Sequence, residues 1–319
     1  MKSNVFVSGA SGVVGYGILK SLRSREYKIY SSSIYPESIA NYLSQHFALA
    51  PRTDVDNYSH WLSSFLEKNQ INLAFAGIDL DMYYWSENRA VFASANCKLA
   101  LNQADLIDLC KDKWYFHQQL KETACNPFLI PTTIENDYEK LLQFSGNSLI
   151  VKPRRGFGSK GVHLVKSEAE FKSTAFDPKE SIVQPRVGDD QEEYTVAAFG
   201  DGLGGYFSMF SMKRKLASGG YTEEAQVVDN DQFEEAVSVF CNELKPIGPT
   251  NFQFRLENQI PKLLEINPRL SSSSSIRAKF GYNEAEMCID FFLREKKPSL
   301  GKLRRGRAMR YIEEIIIEE

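Results

Sequence analysis

Apolar and polar positions along the chain fall into two textures. Through residue 110, short apolar runs alternate with stretches whose apolar residues recur every three or four positions. Strands are expected at Asn4–Ser8, Lys28–Ser32 and Ile71–Ala76, and helices at Gly12–Arg23, Tyr58–Lys68, Leu80–Ala95 and Gln103–Leu109. In the Tyr58–Lys68 helix, Trp61, Leu62, Phe65 and Leu66 supply the apolar positions. This alternation predicts a parallel sheet covered by helices, an α/β lobe. From Ser148 the pattern turns to strands and turns, an α+β texture. Strands are expected at Ser148–Pro153, Gly161–Val165, Ser181–Pro185, Glu193–Phe199 and Gly205–Met212. A hairpin is expected from Asn251–Leu256 and Lys262–Ile266, turned at Glu257-Asn258-Gln259, and a terminal strand from Ile312 to Ile317.

Composition narrows the function. A chain of 319 residues fits two or three packed lobes. Its 38 basic and 41 acidic residues leave a net charge of −3, so any anion binding must be local, and neither nucleic acid nor membrane is an expected partner. Cys97, Cys110, Cys125, Cys241 and Cys288 are scattered without a C-x-x-C pair, which suits a reducing cytoplasm. His46, His60, His117 and His163 lack metal-ligand spacing and read as structural. No apolar run approaches the ~18 residues of a membrane helix.

Three stretches carry candidate chemistry. VFVSGASGVVGYGILKSL (Val5–Leu22) is a strand, a glycine-rich turn and a helix start, the arrangement that brings backbone amides to an anion. The second strand ends in Ser31-Ser32-Ser33, without the acid that would hold an NAD ribose. Arg23 and Arg25 leave an NADP reading open. LIVKPRRGFGSKGVHLV (Leu149–Val165) is a hairpin with a basic, glycine-rich tip. Such a tip folds over polyphosphate, yet no helix follows it, so it is not a P-loop. In PTNFQFRLENQIPKLLEINPRL (Pro249–Leu270), Glu265 and Asn267 share a strand face, with Gln253 opposite Glu265. Those oxygens suit Mg²⁺. Leu263 is expected on the same face as Glu265.

Together these motifs resemble the ATP-grasp superfamily of carboxylate–amine ligases. The nearest likeness is to proteins similar to the large chain of carbamoyl-phosphate synthase. The resemblance implies a Rossmann-like domain over 1–110, a lid subdomain over 111–183 and a C-terminal subdomain with the metal site over 184–319. It makes the opening glycines part of an acceptor-substrate lobe rather than a dinucleotide site. It assigns Lys113, in LCKDKWYFHQQL, and Lys152 to the ATP phosphates, and Arg154, Gly156, Gly158 and Ser159 to the phosphate lid. Gln184, Arg186 and Val187 correspond to the adenine hinge, in which Pro185 has no amide hydrogen to offer. Glu193 corresponds to the ribose acid, with Glu192 as the alternative. Gln253, Glu265 and Asn267 correspond to the metal ligands, for two Mg²⁺ ions or Mn²⁺ in their place. Arg269 corresponds to the residue that stabilises the transferring phosphoryl group.

The reaction so implied is acyl-phosphate formation from ATP and a small-molecule carboxylate, followed by attack of an amine. Lys213 and Arg214, in MKRKLASGG, are further candidates for the phosphates, and Arg277 for the substrate carboxylate. Asp79 and Asp81, in GIDLDM, are candidates for an amine or hydroxyl, or for helix capping. A cytoplasmic homodimer is the expected setting. The competing readings are a non-catalytic ATP-binding module of the same fold and an NADP-dependent reductase.

Overall fold

The computed structural model of the protein describes residues 2–22, 26–146, 148–156 and 160–316. The N-terminal lobe runs β1 (Ser3–Val7), α1 (Val13–Ser21), β2 (Tyr27–Ser33), α2 (Ala40–Leu43), β3 (His46–Leu49), α3 (Tyr58–Lys68), β4 (Leu73–Phe75), α4 (Asp79–Glu87), α5 (Arg89–Ser94), β5 (Lys98–Leu99) and α6 (Ala104–Lys111). Its strands are parallel, in the order β3-β2-β1-β4-β5. Central β1 is covered on both faces, which explains its continuous apolar run: Val5, Phe6 and Val7 are fully buried. The sequence pattern passed over α2 and β3, a short, half-exposed edge pair with little periodicity. The helix expected over Leu80–Ala95 is two helices. They break at Asn88, which leaves the helical region at φ −118°, ψ 38° and donates its side-chain amide to the Tyr84 carbonyl.

The glycines of the opening turn let two βα units touch. Gly9 takes φ +53°. Opposite it, a Cβ on Gly77 would stand 2.0 Å from the Ser8 carbonyl oxygen and 2.8 Å from the Gly15 Cα. The ends of β1 and β4 therefore close on each other at backbone contact.

The lid consists of α8 (Tyr138–Ser145), β6 (Leu149–Pro153), β7 (His163–Val165), α9 (Glu168–Ser173) and β8 (Ser181–Pro185), reached through α7 (Lys113–Leu120). Its antiparallel sheet, β7-β6-β8, closes over Leu141, Leu149, Val151, Val165, Phe171 and Val183. Leu120, Cys125, Phe128 and Leu129 pack elsewhere, in the core of the C-terminal sheet. The segment just after Lys111 thus splits its packing, and the lid's own core begins near Leu141.

The C-terminal part contains β9 (Glu193–Asp201), β10 (Tyr206–Leu216), β11 (Thr222–Val227), α10 (Asp231–Leu244), β12 (Ile247–Glu257), β13 (Ile260–Asn267), α11 (Ser274–Lys279), α12 (Glu284–Cys288) and β14 (Arg307–Met309). Its antiparallel sheet runs β13-β12-β9-β10-β11-β14. α10 covers one face through Phe233, Ala236, Val237, Phe240 and Cys241. α11, α12 and the turn at Ile289–Leu293 fill the space between this sheet and the N-terminal lobe. The strand expected from Ile312 does not form among the described residues, and Ile317 lies outside them. The last strand is Arg307–Met309, paired with β11. Arg310 donates its backbone N–H to the Glu223 carbonyl, and beyond it Tyr311, Ile312 and Ile316 are exposed.

The contact at Gly77 is testable. Gly77→Ala must push β1 and β4 apart and will lower Tm by at least about 3 °C, the shift of roughly 1 kcal/mol in a domain of this class. A melt indistinguishable from wild type would contradict the packing described.

Candidate functional site

A cavity of about 330 Å³ separates the lid from the C-terminal sheet. Its lid wall is apolar at Ile150, Val162 and Leu164 and also carries Lys152, and its sheet wall is charged, with Glu193, Arg214, Arg255 and Glu265. A second cavity, of about 160 Å³, lies between this sheet and the N-terminal lobe, lined by Val13, Val14, Asp79, Tyr221, Asn267, Arg269, Ser271 and Ser272. Arg214, Gly220, Gln253 and Glu265 line both. The opening turn therefore reaches the second cavity through the first residues of α1.

Each cavity wall is built by a few elements. β6 carries Lys152, whose burial, and next the nearby Lys113 charge, pushes its ammonium down to about 8. Lys113 starts α7 and its Nζ donates to the Gly156 carbonyl at 3.2 Å. Asp112 caps that helix, accepting from Trp114 N and Tyr115 N at 3.0 and 3.1 Å. Arg154 grips the same carboxylate at 3.1 and 2.8 Å, so it pins the lid loop to α7 and faces away from the cavity. Burial alone would raise the Asp112 carboxyl; Arg154, together with the Tyr115 and Trp114 N–H donors, outweighs it and holds the group below its usual range. Gly156 and Lys160 line the cavity. Gly158 and Ser159 lie outside the described residues, as do Arg23 and Arg25.

The hinge presents Gln184, Pro185 and Val187 to the cavity. Gln184 Nε2 donates to Thr132 Oγ1 at 2.7 Å. Arg186 is turned aside: its backbone N–H donates to Ser148, and its side chain pairs with Asp190 at 2.6 Å.

Strand alternation sorts the next candidates. On β9 and β10, Glu193 and Arg214 are paired in register and both face the cavity. Arg214 is almost wholly buried and donates to Glu193 Oε1 from Nε at 3.1 Å and Nη2 at 2.6 Å. Glu192 and Lys213 point to the opposite side, where they pair at 2.8 Å. Of the two acids it is thus Glu193 that lines the cleft. Of the two cations it is Arg214, and Lys213 is displaced from the candidate set because successive strand residues face opposite ways.

The β12–β13 hairpin puts Gln253 directly opposite Glu265, as its sequence predicts. The register then slips by one, leaving Leu264 as an extra residue. This bulge separates Leu263, buried in the core, from Glu265, which lines the cavities. Asn267 Nδ2 donates to Glu265 Oε1 at 3.1 Å. Among the described residues Glu265 forms no ion pair, whereas Asp79, Asp190 and Glu193 all do. Gln253 Oε1 accepts from Arg214 Nη2 at 2.7 Å.

Arg269 reaches into the second cavity and is held by Asp79 of the N-terminal lobe, through Nε at 2.5 Å and Nη2 at 3.0 Å. Burial would lower the guanidinium's pKa, but Asp79 outweighs it and the group stays charged. Asp81 is instead buried under Thr53 and Tyr58 as part of the lobe's own core. Arg277, read from sequence as a carboxylate binder, is fully buried beneath the sheet. It pairs with Glu284 at 2.7 and 3.1 Å and donates to Asn251 at 3.2 Å and Ser271 at 2.8 Å. It braces the serine run from below and touches neither cavity. Sequence reasoning missed Arg255 and Thr132. Arg255 was signalled by its place two residues after Gln253 on one strand face; Thr132 gave no signal.

Comparison with solved structures places this architecture. N5-carboxyaminoimidazole synthetase from Staphylococcus aureus, complexed with ADP, superposes with a TM-score of 0.70 at 16% identity, over 97% of this chain and 81% of its own. Biotin carboxylase from Campylobacter jejuni, as its β,γ-ATP complex, gives 0.71 at 14% identity, over 91% and 70%. L-amino acid ligase from Bacillus licheniformis gives 0.69 at 12% identity, over 92% and 74%. Residues 179–315 match the sequence model of a family described as ATP-grasp in the biosynthetic pathway with Ter operon. The chain has the ATP-grasp fold. The carbamoyl phosphate synthase large chain of Sulfurisphaera tokodaii is 23% identical over 195 residues, spanning 54% of this chain and 18% of that protein. The likeness to that enzyme noted from the motifs is thus present at sequence level, while this chain corresponds to under a fifth of its length. Within the ATP-grasp fold, the two cavities lie on either side of the β12–β13 hairpin's charged face.

Arg277 gives a direct test of its reassignment. Arg277→Met strands the Glu284 carboxylate in the core and will cost about 3–5 kcal/mol in urea unfolding. A stable, folded variant defective only in turnover would return Arg277 to the substrate site.

Proposed function

We propose that the protein is an ATP-dependent carboxylate–amine ligase. The observation that carries this is Glu265. It is a cleft carboxylate without an ion pair among the described residues, set where the two cavities meet, and Lys113 and Lys152 stand on one side of it and Arg269 on the other. A neutral or fully paired cleft would suit a passive binding module better.

In this reading ATP occupies the larger cavity. The apolar lid wall and the hinge hold its base, Glu193 its ribose, and Lys113 and Lys152 its phosphates. Glu265 and Asn267 offer adjacent oxygens, a donor set that fits Mg²⁺. When bound there, such an ion would supply charge neutralisation to the phosphates. A small carboxylic acid enters the second cavity beside Arg269. Its oxygen forms a bond to the γ-phosphorus as the β–γ bridging P–O bond breaks, and the electron pair leaves with ADP. Arg269 and Lys113 meet the charge that develops on the transferring group. The amine nitrogen then attacks the acyl carbon, phosphate departs, and the amine's extra proton passes to solvent. The lid keeps water from the acyl phosphate in the interval. Small-molecule substrates, a cytoplasmic setting and a homodimer complete the reading.

Two outcomes test it. ADP release from MgATP, screened over pools of carboxylates and amines, will require one member of each pool and will fall at least about 100-fold in Glu265→Ala. Release that is indifferent to both pools would contradict the ligase. Lys152 adds a pH signature. Below about 8 it already carries its charge in the empty cleft; above that it must take a proton from solvent when phosphate binds. ATP affinity will therefore hold steady up to pH 8 and then fall, by at most tenfold per pH unit, and Lys152→Met will weaken binding and abolish the slope. Calorimetric titration at pH 7, 8 and 9 reads it, and an unchanged slope in the variant would exclude Lys152 as the phosphate ligand.

A further inference from the structure

The metal site does not accommodate the third ligand that the hairpin motif offers. Gln253 has one side-chain acceptor, Oε1, and Arg214 Nη2 already donates to it at 2.7 Å. A divalent cation on that oxygen would stand within a few ångströms of a guanidinium, a like-charge approach that is costly in a site shielded from water. Gln253 also brings no negative charge to offset it. Asn267 Oδ1 accepts from Arg269 Nη2 only at 3.3 Å, a longer and weaker contact that an ion displaces more easily, and the charged Glu265 stands beside it. Arg214 has no other place to go: it is about 5% exposed, and Glu193 Oε1 anchors it through two bonds. The sheet fixes this geometry, since Glu193 lies on the strand between Arg214 and Gln253, paired in register with Arg214 and with Arg255.

Resting on the ligase reading, we infer that the Arg214 guanidinium occupies the position of a second metal ion, and that the protein works with one divalent cation, held by Glu265 and Asn267. Arg214 lines both cavities, so it stands where the γ-phosphate and the entering carboxylate meet. It supplies there a fixed positive charge with directed N–H donors, which a hydrated ion would otherwise supply. Gln253 acts as a positioning residue: its carbonyl oxygen aims the guanidinium, and its neutrality keeps a metal from competing.

The test is a count. Mn²⁺ bound to the full chain is measured by electron paramagnetic resonance at a saturating, non-hydrolysable ATP analogue. The wild type will bind one Mn²⁺ per chain. The double variant Gln253→Glu with Arg214→Ala, checked for a wild-type circular dichroism spectrum, restores an acid and removes the cation, and will bind two. Two ions in the wild type would overturn the inference without any variant, and leave the ligase intact. A folded double variant that stays at one would show that Arg214 is not what excludes the second ion. Failure of the wild type to bind the analogue at all, with or without Mn²⁺, would instead remove the ligase reading on which the inference rests.

Discussion

Three guanidinium–carboxylate pairs, one fully buried and two largely so, organise this molecule. Arg214–Glu193 lines the larger cavity, Arg269–Asp79 closes the N-terminal lobe onto the hairpin, and Arg277–Glu284 braces the serine run from below. A guanidinium taken out of water is tolerated only when its donors are met, and each of these also bonds to at least one neutral oxygen. The pairs therefore do more than balance charge. They fix where Gln253, Asn267 and Ser271 stand, and so set the shape of the ground between the two cavities.

In the proposed ligase, that ground is where nucleotide and acceptor meet. The larger cavity combines an apolar lid wall with a charged floor, the smaller one two arginines with acidic, small and apolar residues. Asp79 comes from one lobe and Arg269 from the other, 190 positions apart, so the carboxylate grip is assembled only when the lobes are packed. Asp79 already fills the bidentate edge of Arg269, and an entering carboxylate must share that edge or displace it. The sequence of binding and the fit of the acceptor are thus coupled to the packing of the lobes.

How much of this was legible in the sequence depended on whether local chemistry or a distant partner decided the outcome. The β1 turn, the hairpin opposition of Gln253 and Glu265, and the lid strands follow from glycine placement and period-two alternation, and the structure contains them. The same alternation, applied to β10, separates Lys213 from Arg214; only the register that sets Arg214 beside Glu193 and Lys213 beside Tyr194 tells which faces the cleft. Arg277 misled because its partner Glu284 sits seven residues on, at the start of the next helix, and its burial comes from the packing of separate elements around it. Leu263 misled because a bulge is a property of pairing, invisible in one strand. α10 went unread even though its apolar residues Phe233, Ala236, Val237 and Phe240 recur with a helical period, and so did β11 and β14, which are short and half-exposed.

The central claim is that a carboxylate attacks the γ-phosphorus at the junction of the two cavities. Positional isotope exchange tests it most directly. ATP labelled with ¹⁸O at the β–γ bridge is incubated with the protein, Mg²⁺ and the carboxylate, with amine withheld, and the label is followed by ³¹P NMR. Reversible acyl-phosphate formation frees the β-phosphate to rotate, so the label will move to the non-bridging β-positions only when the carboxylate is present. Amide product formed with amine present, but no scrambling under any carboxylate when it is withheld and ADP held in the site, would contradict the acyl-phosphate account.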